Sequence, residues 1–119
     1  MQPIWEHFIS LHCFMRIIAI KTLIFFWETN KNAEQPIKSW YQEVKKSTWN
    51  NSNELKEKYR NAFVLSSKRV VFNIKGNSYR LIVDIEYKLQ IVFIVWIGNH
   101  GDYDNLDAKT IKYDKANKK

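Results

Sequence analysis

From Lys68 onward the apolar residues of this chain stop recurring every three to four positions and recur every two, and that change constrains the fold more than anything before it. RVVFNI reads as a strand, KGN as a hairpin turn and YRLIVDIEY as a second strand. In the second strand Tyr79, Leu81, Val83, Ile85 and Tyr87 point one way, and Arg80, Ile82, Asp84 and Glu86 the other. Such alternation predicts a sheet with one buried and one largely wet face. Lys88 to Gln90 make a second tight connection. IVFIVWI, Ile91 to Ile97, is apolar on both faces, as a strand inside a sheet must be.

Helical periods precede this meander. MRIIAI, Met15 to Ile20, suits a short strand, and Lys21 to Thr29 follows as a helix with Thr22 as its cap. A better helix begins at Asn32, with Gln35 three residues on as in a capping box and Pro36 inside the tolerated first turn. Its apolar face is Ile37, Trp40, Tyr41 and Val44, while Lys38, Gln42, Glu43, Lys45 and Lys46 face water. Asn51 and Glu54 repeat the capping pattern ahead of LKEKYRNA, where Leu55, Tyr59 and Ala62 share a side. Helices segregated from a strand meander make the class α+β: an antiparallel sheet, N-terminal strand plus three-stranded meander, with two to three helices packed on one face.

At 119 residues the chain supports one core. Residues 1–14 read as an N-terminal extension, with Met15 able to serve as a start; 15–111 is the domain, and 112–119 a basic flexible tail. The net charge of +7 favours a polyanionic or acidic partner. One cysteine, Cys13, cannot make an internal disulfide, which fits a reducing cytoplasm. Charges at Glu6, Arg16 and Lys21 interrupt the apolar N-terminal region, so no membrane span is expected.

P-loop, GxGxxG, CxxC and HExxH patterns are absent from the sequence. The polar candidates gather in the meander. Arg80 is either a solvated cation paired with Asp84 or Glu86, or a planar clamp for a phosphate. His100, in GNHGDYD, is either an idle surface histidine or the group best suited to exchange a proton near neutral pH. Tyr103 is a core aromatic or a platform for an unpaired base. Asn73, Lys75 and Asn77 around Gly76 are hairpin formers in their own right.

Read in order, MRIIA, FWE, NAEQPIKSWY, LKEKY, RVVFNIKGNSYRLIVDIEY, IVFIVWIG and HGDYDNLDA resemble the HigB-type toxins of the RelE superfamily, from Met15 to about Ile111. The paired strings VFNIKGNSYRL and FIVWIGNHGDYD carry most of the likeness. Asn99 and Gly101 stand where that pattern commonly has Thr and a larger residue. The resemblance implies a compact RelE-like domain and the toxin of a type II toxin-antitoxin system. It implies a ribosome-dependent mRNA endoribonuclease whose partners are a helix-turn-helix antitoxin of HigA type, the ribosome and mRNA, with DNA engaged only through the antitoxin. Carried over by motif, Arg80, His100, Lys75 and Tyr103 become the expected catalytic group, beside Asp104, and Asn73, Asn77, Lys68 and Arg69 the expected RNA-binding group. Neither a metal nor a cofactor is called for. Two other readings fit the same residues: a ribosome- or RNA-binding protein without cleavage, including an inactive toxin held by its antitoxin, and a basic protein that serves an acidic partner only.

Overall fold

The computed structural model describes residues 15–113; the N-terminal extension with Cys13 and the tail beyond Tyr113 lie outside the described residues. The elements run β1 (Arg16–Ile18), α1 (Ile20–Thr29), a 3-10 turn (Lys31–Ala33), α2 (Glu34–Lys45), α3 (Ser52–Lys58), β2 (Phe63–Val64), β3 (Arg69–Ile74), β4 (Tyr79–Glu86), β5 (Ile91–Asn99) and α4 (His100–Asp104). The class is α+β, as the periods predict. Five strands form one sheet in the order β1-β5-β4-β3-β2. The expected antiparallel sheet is a mixed one, because β1 lies parallel to β5 with Ile17 opposite Val92. The long excursion through three helices returns the chain to the far side of the sheet, and β5 enters in the same direction as β1. After α3, Phe63 and Val64 add an edge strand that the sequence does not announce.

Local capping follows side-chain chemistry in one place and departs from it in two. The Asn51 side chain accepts from the Glu54 amide at 3.0 Å, while the Glu54 carboxylate accepts from the Asn50 amide at 2.9 Å, so the α3 box closes one residue early. The Asn32 cap does not form: Asn32 lies inside the 3-10 turn and α2 starts after Ala33. Nor does Thr22 cap α1, which starts after Ala19 in a left-handed conformation, leaving Thr22 in the helix with a buried hydroxyl that has no partner among the described residues.

Helices α1, α2 and α3 cover one sheet face. Leu23, Ile37, Trp40, Val44 and Leu55 meet Val70, Phe72, Leu81, Val83, Ile85, Val92, Ile94 and Ile97 in the main core. Tyr41 is only half-buried at its edge. Tyr59 closes the core edge-on to Trp49 and Phe72 and donates to the Glu43 carboxylate at 2.7 Å. Burial first, then the Glu43 charge, push its hydroxyl well above the ordinary phenol value. Because the folded state holds this proton more tightly than the unfolded chain, stability is whole below about pH 10 and falls as pH rises above it. Thermal melts across pH 8 to 11.5 are expected to show that fall, with a shallower one in Tyr59→Phe; identical slopes would remove Tyr59 as its source.

The opposite face is not the wet surface that alternation predicts. Val71, Ile82 and Val95 form a second small core beneath Leu65, Trp96, Tyr103, Leu106, Ala108 and Ile111. A β-bulge makes this possible: Ile82 pairs with Trp96 and Val83 with Ile94, leaving Val95 as an extra residue on β5. Val95 and Trp96 therefore both serve the second layer, and Ile97 returns to the first. Arg69 ties the covering segment down. Its guanidinium meets Asp84 through two bonds of 2.6 and 2.9 Å and donates to the carbonyls of Ala108 and Ile111 at 3.0 and 2.6 Å.

Candidate active site at the β3-β4 hairpin

The hairpin register puts Asn73 opposite Arg80, and Arg80 opposite Gly98 of β5. All three occupy the second face, near the end of the sheet where the hairpin turns. The strand parity read from sequence places Arg80 on this face, but the expected pairing with Asp84 or Glu86 does not occur. Those carboxylates belong to Arg69 and to Lys68, the latter at 3.1 Å. Arg80 instead donates through Nη1 to the side-chain oxygen of Asn73, a neutral partner, and retains 8% of its surface. Its Nε is buried with no partner among the described residues. A cation this buried, without a carboxylate, is rare unless an anion visits it.

Above Arg80 sits Tyr103, with the guanidinium carbon 5.6 Å from the ring centre. Tyr103 is held there from two sides. Asn99 caps α4 by accepting from the Asp102 amide at 2.7 Å, the task that Asn and Thr perform alike, so the departure from the common pattern at that position preserves the local geometry. Trp96 packs against the Tyr103 ring at 6.4 Å. The His100 amide donates to the Ser78 carbonyl at 3.2 Å, which fastens the start of α4 to the hairpin turn. The His100 imidazole itself is exposed and pairs loosely with Asp104, 3.5 Å away across one helical turn.

Lys75 and Gly76 both adopt left-handed backbone in the turn, with φ of 54° and 62°. For Gly76 this is free. Lys75 has a side chain and holds the same region, a placement that costs of order 1 kcal/mol and persists where surrounding structure imposes it. Lys75 and Asn77 are exposed on the turn, and their side chains have no partner among the described residues. The structure thus brings Asn73, Arg80 and Tyr103 into one site, with His100, Lys75 and Asn77 at its rim. Lys68 and Arg69 stand apart. Arg69 lies four residues before Asn73 on β3, about 13 Å along the strand, and its guanidinium is consumed by Asp84 and two carbonyls. Arg69 instead fastens the segment that follows α4, at the carbonyls of Ala108 and Ile111.

Sequence reasoning missed Gly98 and Trp96. A Cβ on Gly98 would fall 2.4 Å from the Trp96 ring, so the indole lies directly over this glycine. Gly98→Ala must therefore move Trp96, and with it the wall behind Tyr103. Denaturant melts are expected to show a loss of about 1–3 kcal/mol, the usual cost of overpacking. An unchanged midpoint would mean that the indole moves freely. The signal was a glycine inside an otherwise apolar strand, a mark of close approach. The Asn61 carbonyl, which accepts from Asn73 at 3.3 Å, had no signal at all.

Among the described residues no group of three His, Cys, Asp or Glu side chains could hold a metal ion, and no helix is long and apolar enough to cross a membrane. Residues 33–106 match the family model HigB toxin, described as the RelE-like toxic component of a toxin-antitoxin system. The match takes in the whole hairpin site from Asn73 to Tyr103 and covers more than half of the chain. No curated protein matches the chain.

Proposed function

Because this chain belongs to the HigB toxin family, RelE-like toxic components of toxin-antitoxin systems, we propose that its hairpin site is that of a ribosome-dependent mRNA endoribonuclease. Membership implies an antitoxin partner; the helix-turn-helix HigA type, the ribosome and mRNA are our further reading. The observation that carries it is Arg80: a nearly buried guanidinium bonded to neutral Asn73 while the neighbouring carboxylates are taken by Lys68 and Arg69. Such a cation has the charge and the planar guanidinium to meet a phosphate.

The reaction that fits is attack by the RNA's own 2′-hydroxyl on the adjacent phosphorus. The new O–P bond closes a 2′,3′-cyclic phosphate, the P–O5′ bond breaks, and the proton lost from the 2′-oxygen is matched by one gained at the leaving 5′-oxygen. Arg80 and Lys75 stabilise the charge that builds on the phosphorane. His100, beside Asp104 across one turn of α4, is the group that exchanges a proton. Tyr103, lying over Arg80, stacks on a base or hydrogen-bonds the phosphate. Splaying of the message on the ribosome supplies alignment worth several kcal/mol, which accounts for the rim groups being spread around the turn.

Induction of the full chain is expected to arrest growth, with primer extension showing new mRNA ends and the fragments carrying cyclic phosphate. Arrest without new ends would replace this reading with that of a ribosome-binding protein that does not cut.

A further inference from the structure

A recess of about 290 Å³ opens beside the Arg80 site, lined by Lys58, Tyr59, Arg60, Asn61, Asn73 and Gly76. Its rim is a fixed piece of backbone. Lys56 donates to the carbonyls of Arg60 and Ala62, both at 2.8 Å, and Asn73 donates to the Asn61 carbonyl. Asn73 is therefore shared: its oxygen receives Arg80 and its nitrogen binds the recess wall. The lining is mainly polar, and the cations are free. Lys58, Arg60 and the nearby Lys75 have no side-chain partner among the described residues, whereas Lys38, Lys68 and Arg69 are each matched by a carboxylate.

We propose that this recess is a nucleotide subsite, holding one nucleotide of single-stranded RNA next to the phosphate that Arg80 binds, with Lys58 and Arg60 on its phosphate and Asn61 reading its base. The inference rests on the endoribonuclease reading given above. A volume near the lower limit of about 300 Å³ for ligand pockets suits a single nucleotide rather than a run of them. The Asn61 side chain offers both donors and acceptors at a base edge. Because Asn73 spans the two sites, occupation of the recess and alignment of Arg80 are linked through one side chain.

The test uses the full chain and 5′-mononucleotides as probes. AMP, GMP, CMP and UMP are expected to shift the backbone amide resonances of residues 58–62 and 73–76, with unequal affinities. Inorganic phosphate should fail to reproduce the shift at Asn61. The Lys58→Ala/Arg60→Ala double variant removes two exposed, unpartnered side chains and should raise the mononucleotide Kd about tenfold, as expected for two lost charge-assisted contacts. In cells that variant should cut more slowly and with a changed base distribution flanking the cuts. Shifts that bypass these residues, or that phosphate alone reproduces in full, overturn the subsite. The two readings separate cleanly: mononucleotide binding here in a protein that never cuts mRNA leaves the subsite and sinks the nuclease, and cutting with an unaltered distribution in the double variant does the reverse.

Discussion

Arg80→Ala is expected to lower mRNA cleavage by about 10²–10³-fold, the usual cost of removing one preorganised group that meets charge developing in a transition state. Cell growth on induction should recover accordingly. Two features make this more than a generic arginine effect. The guanidinium is already held by Asn73 and lies beneath Tyr103, so it costs little to position when the phosphate arrives. It also has no carboxylate to surrender, so an incoming anion does not compete with an internal ion pair. Arg80→Lys keeps the charge but loses the planar fork, and should restore only a small part of the rate. Because Arg80 is buried, a melting curve must accompany each variant. If Arg80→Ala arrests growth and cuts mRNA as the parent does while folding normally, the hairpin is not the active site.

Asp84→Ala carries the largest expected effect on stability. It leaves the Arg69 guanidinium, whose side chain is 11% exposed, without its countercharge. Loss of one partner of a buried pair costs roughly 3–5 kcal/mol, and the one-third exposure of Asp84 places this case toward about 2–4 kcal/mol. Arg69→Ala should be milder on that count but should loosen residues 105–111, since the carbonyls of Ala108 and Ile111 lose their donor. Hydrogen exchange separates the two: Asp84→Ala lowers global protection, whereas Arg69→Ala chiefly speeds exchange near Leu106 and Ile111. If the double variant is as stable as the parent, the cluster contributes nothing to holding the second layer.

These two residues also show where sequence stops being sufficient. The α2 face of Ile37, Trp40 and Val44 and the alternation of β4 were readable because each depends on neighbours within a few positions. The parallel pairing of β1 with β5 was not, since three residues cannot declare a partner more than seventy positions away. The second layer escaped because its outer apolar residues, Leu106, Ala108 and Ile111, are scattered among polar ones with no sustained period. For the site, parity put Arg80 on the face away from the main core and the hairpin beside the turn that follows β5; that this turn is the short helix α4 was not readable. What parity could not show was the competition for Asp84, which the register settles by setting Arg69 directly across from it. Arg69, grouped from sequence with the RNA-binding residues, is instead spent on holding the fold together.

Val95 gives the sheet an odd count, and with it a directional error that the hairpin site depends on. Along an unbroken β5, Ile97 would project beside Arg80 and Gly98 would fall on the helical side. The extra residue exchanges them, so that a guanidinium faces a bare backbone across the ladder instead of a branched hydrocarbon. It follows that the register at this point matters more than residue identity. Replacing Val95 by Ile or Leu alters only packing, and removing it would leave Trp96, Ile97 and Gly98 opposite Ile82, Leu81 and Arg80 on an unbroken ladder, whereas pairing the same β5 without its bulge would turn every side chain from Trp96 onward to the other face.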